Sequence, residues 1–197
     1  PYGTSFNCGQ MYTGIARSAR TGTCGPSWST PVGTGTEQCV LINSKKVTTK
    51  MACKFLAMKV AAATAGHTLS ITQGFRTMAD QTHFWDCYQS GGTGSDTNTP
   101  PRACNGQKSL AACPGTSKHQ IGVAFDIVQD MTQDKSSKVG YTPGSTIKPI
   151  YGWLRDHAWE FNFIRTVTSE AWHWEYHENR QCEIDCMDVK CKQLGHF

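Results

Sequence analysis

The amino-acid sequence predicts an α+β fold, in which a small antiparallel sheet is flanked by helices and by disulfide-braced loops. Two observations support this prediction. Helical and strand-like patterns follow one another without a regular βαβ repeat, and ten cysteines are spread from Cys8 to Cys191. A chain of this length can bury one substantial core, and no apolar run is long enough to span a membrane.

Amino-acid composition and hydrophobic periodicity divide the chain into three segments. Residues 1–43 are rich in Gly, Ser and Thr and show little periodicity, which is typical of an extended segment without its own core. Residues 44–181 contain the periodic patterns and form the predicted main domain. Residues 182–197 form a tail with three of the ten cysteines. We expect the first segment to pack on the main domain.

The strongest helical pattern begins at Ser44, which can cap a helix, and ends at Gly66. Apolar residues recur in it at spacings of three and four: Val47, Met51, Phe55, Met58 and Ala62. Further elements are predicted, in chain order, as a strand through Leu69 and Ile71 that ends at 74–76, a helix at 78–88, a buried strand at 123–128, a helix at about 148–160, and strands at 163–167 and 171–177. The long loop at 90–118 contains two cysteines, which predicts that it is pinned.

Charge and motif content exclude several classes of function. The net charge is only +4 and the basic residues are scattered, so the dense basic stripe of a nucleic-acid-binding protein is missing. The sequence also lacks the signatures of serine hydrolases, phosphate-binding loops, dinucleotide-binding folds and His-Glu-x-x-His peptidases. A mildly basic surface favours anionic polymers such as bacterial cell walls.

Cysteine usage predicts the compartment. Ten cysteines that are dispersed along the chain suit structural disulfides in an oxidising environment. The chain begins at Pro1 without an initiator Met, which is the pattern of a mature form after removal of a targeting peptide. We therefore expect a secreted, extracellular protein, and we expect it to be a monomer.

Metal-capable side chains concentrate in two stretches, residues 117–126 and 170–177. In the first, Asp126 lies in an apolar strand, where a carboxylate is costly to bury unless it binds a metal, pairs with an Arg or accepts backbone hydrogen bonds. In the second, strand alternation places three polar residues on one face and three aromatic residues on the other: His173, Glu175 and His177, against Trp172, Trp174 and Tyr176.

These two stretches can supply a catalytic zinc site. Such a site takes three ligands of the His, Asp or Glu type, leaves one position open for water and has a carboxylate nearby as base. His119, Asp126 and one residue of the second stretch provide such a set. The alternative for Glu175 and His177 is that both are ordinary exposed residues at a strand end, and we expect this for those two. Spacing alone leaves the choice of base open.

The motif Ser117-x-His119-x-x-Gly122-x-Ala124-x-Asp126, followed by Glu170-x-Trp172-His173, resembles the signature of the D-alanyl-D-alanine carboxypeptidase family. This VanY-like group of zinc peptidases shares its fold with the zinc-bearing Hedgehog signalling domain. The run Ile71-Thr72-Gln73-Gly74-Phe75-Arg76-Thr77, with Gln81 after it, resembles the arginine motif of the family. The resemblance covers residues 50–177, and three motifs in the right order make the combination specific.

The resemblance implies that His119, Asp126 and His173 bind one zinc ion and that Glu170 is the catalytic base. It also implies that Arg76 is a second catalytic residue. Three further residues are the implied substrate contacts: Ser117, Gln81 and Trp172. The implied substrates are D-amino-acid-containing stem peptides of bacterial peptidoglycan, and the simplest reaction removes a terminal D-alanine.

Three alternatives stay open. An endopeptidase of the same fold would cut inside the stem peptide or the cross-bridge and would need an open groove. A non-catalytic, zinc-stabilised binding or signalling module would not need a base beside the metal, so Glu170 and Arg76 count against it. A separate thiolate zinc site in the tail would use Cys182, Cys186 and Cys191 with His177 or His196, which an oxidising compartment disfavours.

Overall fold

A computed structural model describes residues 6–7, 11–13, 30–32, 38–127, 149–167 and 170–177. Helices and short antiparallel strands alternate in these ranges, which confirms the predicted α+β class. The strands are β1 Phe6–Asn7, β2 Met11–Thr13, β3 Thr30–Val32, β4 Gln38–Ile42, β5 Lys45–Thr48, β6 Ile71–Gln73, β7 Ala124–Ile127, β8 Phe163–Ile164 and β9 His173–Tyr176, and the helices are α1 Thr49–Thr64, α2 Met78–Gln89 and α3 Pro149–His157. No helix in the described ranges is long and apolar enough to cross a membrane.

The described residues form two compact units. We call the first the sheet unit; it contains residues 40–74, 123–127, 149–167 and 170–177. We call the second the loop unit; it contains residues 75–122 together with β1, β2, β3 and the start of β4.

A four-stranded antiparallel sheet of order β6-β7-β9-β8 is the centre of the sheet unit. Its register sets Asp126 opposite His173 and Phe125 opposite Trp174. Because side chains alternate along a strand, these two pairs point to opposite faces of the sheet. The sheet therefore has one apolar face, while Asp126 and His173 lie side by side on the other.

Helix α1 covers the apolar face of the sheet. Its apolar residues at spacings of three and four, Met51, Phe55, Met58 and Ala62, are all fully buried, as the periodicity predicted. The ring of Phe125 lies 5.0 Å from that of Phe55 and 4.8 Å from that of Phe163, both in edge-to-face contact. The sheet is thus fixed by an aromatic stack behind its polar residues.

The predicted start of this helix is wrong. Ser44 does not cap α1, which begins at Thr49 after Thr48 as N-cap. Asn43 and Ser44 instead form the turn between β4 and β5, with φ of 51° and 61°. Asn tolerates this left-handed region and polar residues favour turns, so the segment reverses direction before it becomes helical. Val47, assigned to the helix by periodicity, is buried in β5.

The later elements agree with the predictions in type and order. The helix predicted at 148–160 is α3 followed by a short 3₁₀ turn, Ala158–Phe161. The predicted strands are shorter in the structure, and Val128 lies outside the described residues. At the end of β6, a Cβ atom on Gly74 would lie 2.1 Å from the carbonyl oxygen of Lys46 on β5, so only glycine fits there.

The loop unit is built around α2. Thr77 and Asp80 form a reciprocal capping box at its start. The chain from residue 90 to residue 122 contains no helix and only one isolated bridge, between Ser95 and Ala103. The disulfide Cys87–Cys104, with a Cα–Cα distance of 5.3 Å, ties this loop to the last turn of α2. None of the cysteines in the described ranges is a free thiol.

The predicted division into segments 1–43, 44–181 and 182–197 stays a prediction. The whole tail, with Cys182, Cys186 and Cys191, lies outside the described residues, and so does most of the first segment.

Candidate metal centre

Asp126 and His173 form a buried pair on the polar face of the sheet. The Nδ1 atom of His173 lies 2.9 Å from Oδ1 of Asp126, and both residues are less than 10% exposed. The pair answers the question that the sequence left open, since the partner of the buried Asp126 carboxylate is a histidine on the neighbouring strand. Strand register, with Asp126 opposite His173, brings the two side chains together.

The protonation of His173 reflects the carboxylates around it. Burial alone would lower the pKa of His173, but hydrogen bonds to Asp126 and Glu175, together with the charge of Glu170, raise this pKa to about 9. In the metal-free protein the ring is therefore protonated at neutral pH. A metal ion that binds His173 must displace one of its ring protons.

Glu170 lies in a backbone turn that leads into β9. The backbone N–H of His173 donates to the carbonyl of Glu170 at 3.1 Å, and the N–H of Glu170 donates to the carbonyl of Val167 at 3.1 Å. The turn therefore fixes the backbone of Glu170 relative to that of His173, a candidate ligand. Its carboxylate is near enough to raise the pKa of His173.

The expectation for Glu175 is wrong. Glu175 is 2% exposed, because it occupies the centre of the sheet, opposite Ala124 on β7 and Ile164 on β8. Its carboxylate is not solvated but lies 3.4 Å from Nε2 of His173. His177 does keep an exposed side chain, with 42% of its surface accessible.

In the loop unit, His119 is held by a tight turn. Its backbone N–H donates to Oγ of Ser117 at 3.3 Å, and its carbonyl accepts from the N–H groups of Arg76 and Gly122. Gly122 has a φ of 70°, which glycine adopts without strain. Both Ser117 and His119 are less than 10% exposed. Gly122 of the motif thus allows the tight turn that contains His119.

Arg76 and Gln81 also come together in the loop unit. The Nη1 atom of Arg76 donates to Oε1 of Gln81 at 3.3 Å, and the guanidinium carbon lies 4.5 Å from the centre of the Phe84 ring. Gln81 is fully buried and donates through Nε2 to the carbonyl of Ala112. Two predicted site residues are therefore in direct contact, and the buried amide fixes the arginine.

Trp172 is a partly buried residue that packs against the apolar core of the sheet unit. Its neighbour Trp174 is 3% exposed and lies within that core. The predicted role of Trp172 in substrate binding stays a prediction.

Three metal-capable side chains come together within the described ranges: His119, Asp126 and His173. Each offers one ligand atom, and these atoms lie within 4.8 Å of one another. Two histidine nitrogens and one carboxylate oxygen are a ligand set of catalytic zinc sites, in which a further position stays open. The set fits zinc, because the buried Asp126 carboxylate supplies negative charge and the two imidazole rings supply nitrogen ligands that zinc favours.

The α+β fold and this ligand set define a protein with a metal site of the kind found in zinc hydrolases. The family model of VanY, D-alanyl-D-alanine carboxypeptidase, matches residues 44–179. The chain therefore belongs to this family of peptidases, which confirms the resemblance carried by the sequence motifs.

Several known proteins are similar to parts of the chain. A D-alanyl-D-alanine carboxypeptidase of Enterococcus faecalis is 35% identical over 75 residues, which cover 33% of this chain and only 24% of that relative. A zinc complex of a mutant of the vancomycin resistance D,D-pentapeptidase VanY is 24% identical, with a TM-score of 0.46 over 69% of this chain and 75% of that one.

VanYB in complex with D-alanine-D-alanine is 24% identical, with a TM-score of 0.47 over 69% of this chain and 74% of that one. The L,D-carboxypeptidase DacB of Streptococcus is 20% identical, with a TM-score of 0.43 over 74% of this chain and 84% of that one. The family assignment rests on the family model and not on these structures.

Sequence reasoning missed two groups of residues. One is the pair Thr166 and Glu175, in which the Thr166 hydroxyl donates to Oε1 of Glu175. Strand alternation had placed Glu175 on the face of His173, and this signal was sufficient to suspect the contact. The other is the set of residues around Asp96, whose buried carboxylate accepts from His83, Asn98 and Arg102 and holds the long loop. No local pattern marks that set.

Proposed function

We propose that the chain is a secreted zinc metallopeptidase that hydrolyses D-amino-acid-containing peptides of bacterial peptidoglycan, most simply as a D-alanyl-D-alanine carboxypeptidase. The observation that carries the proposal is the buried group His119, Asp126 and His173. The charge of Glu170, three residues before His173 in the sequence, also acts on the His173 ring. Membership of the VanY family supports the reaction class and the substrate class.

His119, Asp126 and His173 would hold the zinc ion, in the roles that the family motif implies. When bound in such a site, zinc lowers the pKa of a coordinated water toward neutrality and polarises a substrate carbonyl. The three residues differ in how they are fixed. Asp126 and His173 are set by strand register, and His119 is set by the turn at Ser117 and Gly122.

Glu170 is the proposed general base and acid. It accepts a proton from the attacking water as the water oxygen bonds to the peptide carbonyl carbon. When the C–N bond breaks, the same carboxyl group returns this proton to the departing amine. Its turn, closed by the hydrogen bond from His173 N–H to Glu170 C=O, supports this assignment because it fixes the backbone of Glu170 close to that of a proposed ligand.

Arg76 is the proposed electrostatic partner of the substrate. Its guanidinium would meet the negative charge of a terminal carboxylate or of the developing oxyanion. Contact with Gln81 and with the ring of Phe84 limits its freedom, so little side-chain entropy is lost when the substrate binds. Ser117, Gln81 and Trp172 are the proposed substrate contacts.

The extracellular setting is part of the proposal. It is supported by the cysteines, since those in the described ranges are disulfide-bonded and a reducing compartment would not maintain them. We also propose a monomer, as the sequence led us to expect.

Digestion of purified peptidoglycan and of defined stem peptides, with and without a chelator, tests the proposal when the products are identified by mass. The expected result is chelator-sensitive loss of a single terminal D-alanine. Release of longer fragments would instead identify an endopeptidase. An unchanged substrate, with zinc demonstrably bound, would identify a non-catalytic binding module and would overturn the proposal.

A further inference from the structure

We infer that Glu175 is the positioning residue for His173: its buried carboxylate accepts a hydrogen bond from Nε2 of the ring and so directs Nδ1 toward the metal. This inference rests on the proposed function, because it concerns how the chain prepares one of the proposed ligands. Glu175 lies outside the ligand set and outside the proposed base, and no family motif quoted above includes it.

The geometry of the His173 ring distinguishes its two nitrogens. Nδ1 lies 2.9 Å from Oδ1 of Asp126, and Nε2 lies 3.4 Å from Oε1 of Glu175. Since Asp126 is itself a proposed ligand, Nδ1 is the nitrogen on the metal side. Nε2 faces away, toward a carboxylate that takes no part in the ligand set. The 3.4 Å between Nε2 and Oε1 is longer than the roughly 2.7–3.2 Å of a typical N–H···O hydrogen bond.

The chemical effect follows from the tautomers of imidazole. A histidine that binds a metal through one nitrogen carries its proton on the other, and the hydrogen bond made by that N–H fixes both the tautomer and the ring orientation. An acceptor at Nε2 keeps the proton there and leaves the lone pair on Nδ1. A carboxylate does this more strongly than a neutral acceptor, because the hydrogen bond is charge-assisted.

The surroundings of Glu175 hold its carboxylate in place. The side chain is 2% exposed, and a buried carboxylate is costly unless it is hydrogen-bonded or paired. The Thr166 hydroxyl donates to Oε1, the oxygen that faces His173, and Nε2 of His177 lies 3.8 Å from Oε2. Register with β7 and β8 fixes the backbone of Glu175 on both sides. These contacts hold the Glu175 carboxylate as an acceptor beside Nε2 of His173.

The test compares zinc affinity and ring protonation in the wild-type protein and in Glu175→Gln. Zinc affinity is measured by competition with a zinc-binding dye, without substrate. The histidine-ring ¹⁵N spectrum of the zinc-loaded protein reports which nitrogen of His173 carries the proton. We expect the variant to bind zinc about 10-fold more weakly or worse, in the range known for removal of such outer partners. We also expect a changed Nε2 resonance of His173.

Glu160→Gln is the matched control, because Glu160 also pairs with a histidine of the sheet unit, with Oε1 3.0 Å from Nδ1 of His157. This variant should bind zinc as the wild type does. Thr166→Val is a milder second variant, which removes the donor to Glu175 while leaving the carboxylate in place. We expect it to weaken zinc binding by a few-fold, and it carries the test if Glu175→Gln does not fold.

Unchanged zinc affinity and an unchanged His173 resonance in a folded Glu175→Gln protein would overturn the inference. Equal weakening in Glu175→Gln and Glu160→Gln would also overturn it, since the effect would then be general destabilisation. Failure of the proposed function has a different signature: the wild-type protein would bind zinc but leave every peptidoglycan substrate intact.

Discussion

The sheet unit and the loop unit fix their polar side chains by different means. In the sheet unit, Asp126, His173 and Glu175 are placed by strand register, and the aromatic stack behind them holds the strands. In the loop unit, residues 90–122 form no helix or extended strand. Their positions depend on disulfides, one of which joins Cys104 to α2, and on the bonds that converge on Asp96.

The two units should therefore resist different perturbations. A sheet with an apolar face is stabilised mainly by burial, which depends little on pH. A loop that is held by disulfides and by a buried carboxylate depends on pH and on redox state. The following predictions separate the chemistry from the two modes of support.

The largest expected effect concerns chemistry alone. Glu170→Gln should lower kcat by about a hundredfold to ten-thousandfold, since the amide cannot accept the proton of the attacking water. All three proposed zinc ligands are retained in this variant, so it should still bind zinc. Steady-state kinetics and metal analysis check both points. Activity within a fewfold of wild type would show that Glu170 is not the base.

The next effect concerns the sheet unit. Phe125→Ala should reduce the free energy of unfolding by about 3–5 kcal/mol, because it empties the space between two aromatic rings in a fully buried site. Urea unfolding at neutral pH measures the change. Leu110→Ala, at a residue that is 44% exposed, is the control and should change stability by less than about 0.5 kcal/mol. A small effect at Phe125 would mean that register does not depend on the stack.

The third prediction concerns the disulfide of the loop unit. Replacing both Cys87 and Cys104 by Ser should cost about 3 kcal/mol, the entropy of closing a loop of this size. Limited proteolysis should cut the double variant between these positions faster than the wild type. Ser109→Ala, an exposed change in the same loop, is the control. Equal cleavage rates would show that the loop is held without this disulfide.

The smallest effect should appear with pH. Burial alone would raise the pKa of Asp96, but hydrogen bonds from Arg102, Asn98 and His83 lower it well below its ordinary value. The charged form is therefore favoured more in the folded protein than in the unfolded one. The stability that Asp96 contributes is complete above the unfolded pKa, about 4, and is lost as pH falls through the folded pKa.

Asp96→Asn tests this prediction. The variant should be less stable than the wild type at pH 6, and the difference should shrink as the pH falls below about 4. Unfolding free energies at a series of pH values measure it. A difference that is independent of pH would show that the charge of Asp96 does not support the loop.

The sequence predicted the helical face of α1 and the order of the later elements, because both depend on local periodicity. It misplaced the start of α1, because a helical spacing of apolar residues also fits a short strand that runs into a helix, as Val47 shows. The ligand candidates could be found from residue type and motif. Their pairing could not, since register joins Asp126 to a residue 47 positions away.

The misjudged Glu175 illustrates the same limit in the site. Strand alternation correctly predicted the face of the sheet on which Glu175 lies. Its burial, however, depends on β7 and β8, which lie on either side of β9. A residue near the end of a strand in sequence can therefore lie at the centre of a sheet. The network around Asp96 was beyond prediction for a related reason, because its partners come from α2 and from a loop without periodicity.

Gly74 gives the family motif a physical meaning. In the run Gly74-Phe75-Arg76 the glycine is required by the short distance to β5, because the backbone of β5 occupies the place where a Cβ atom would lie. We expect a saturation library at this position to retain glycine almost alone, while neighbouring positions accept many residues. In a search for distant relatives, this glycine is therefore as informative as a metal ligand. It is required because β5 and β6 approach each other closely two residues before Arg76.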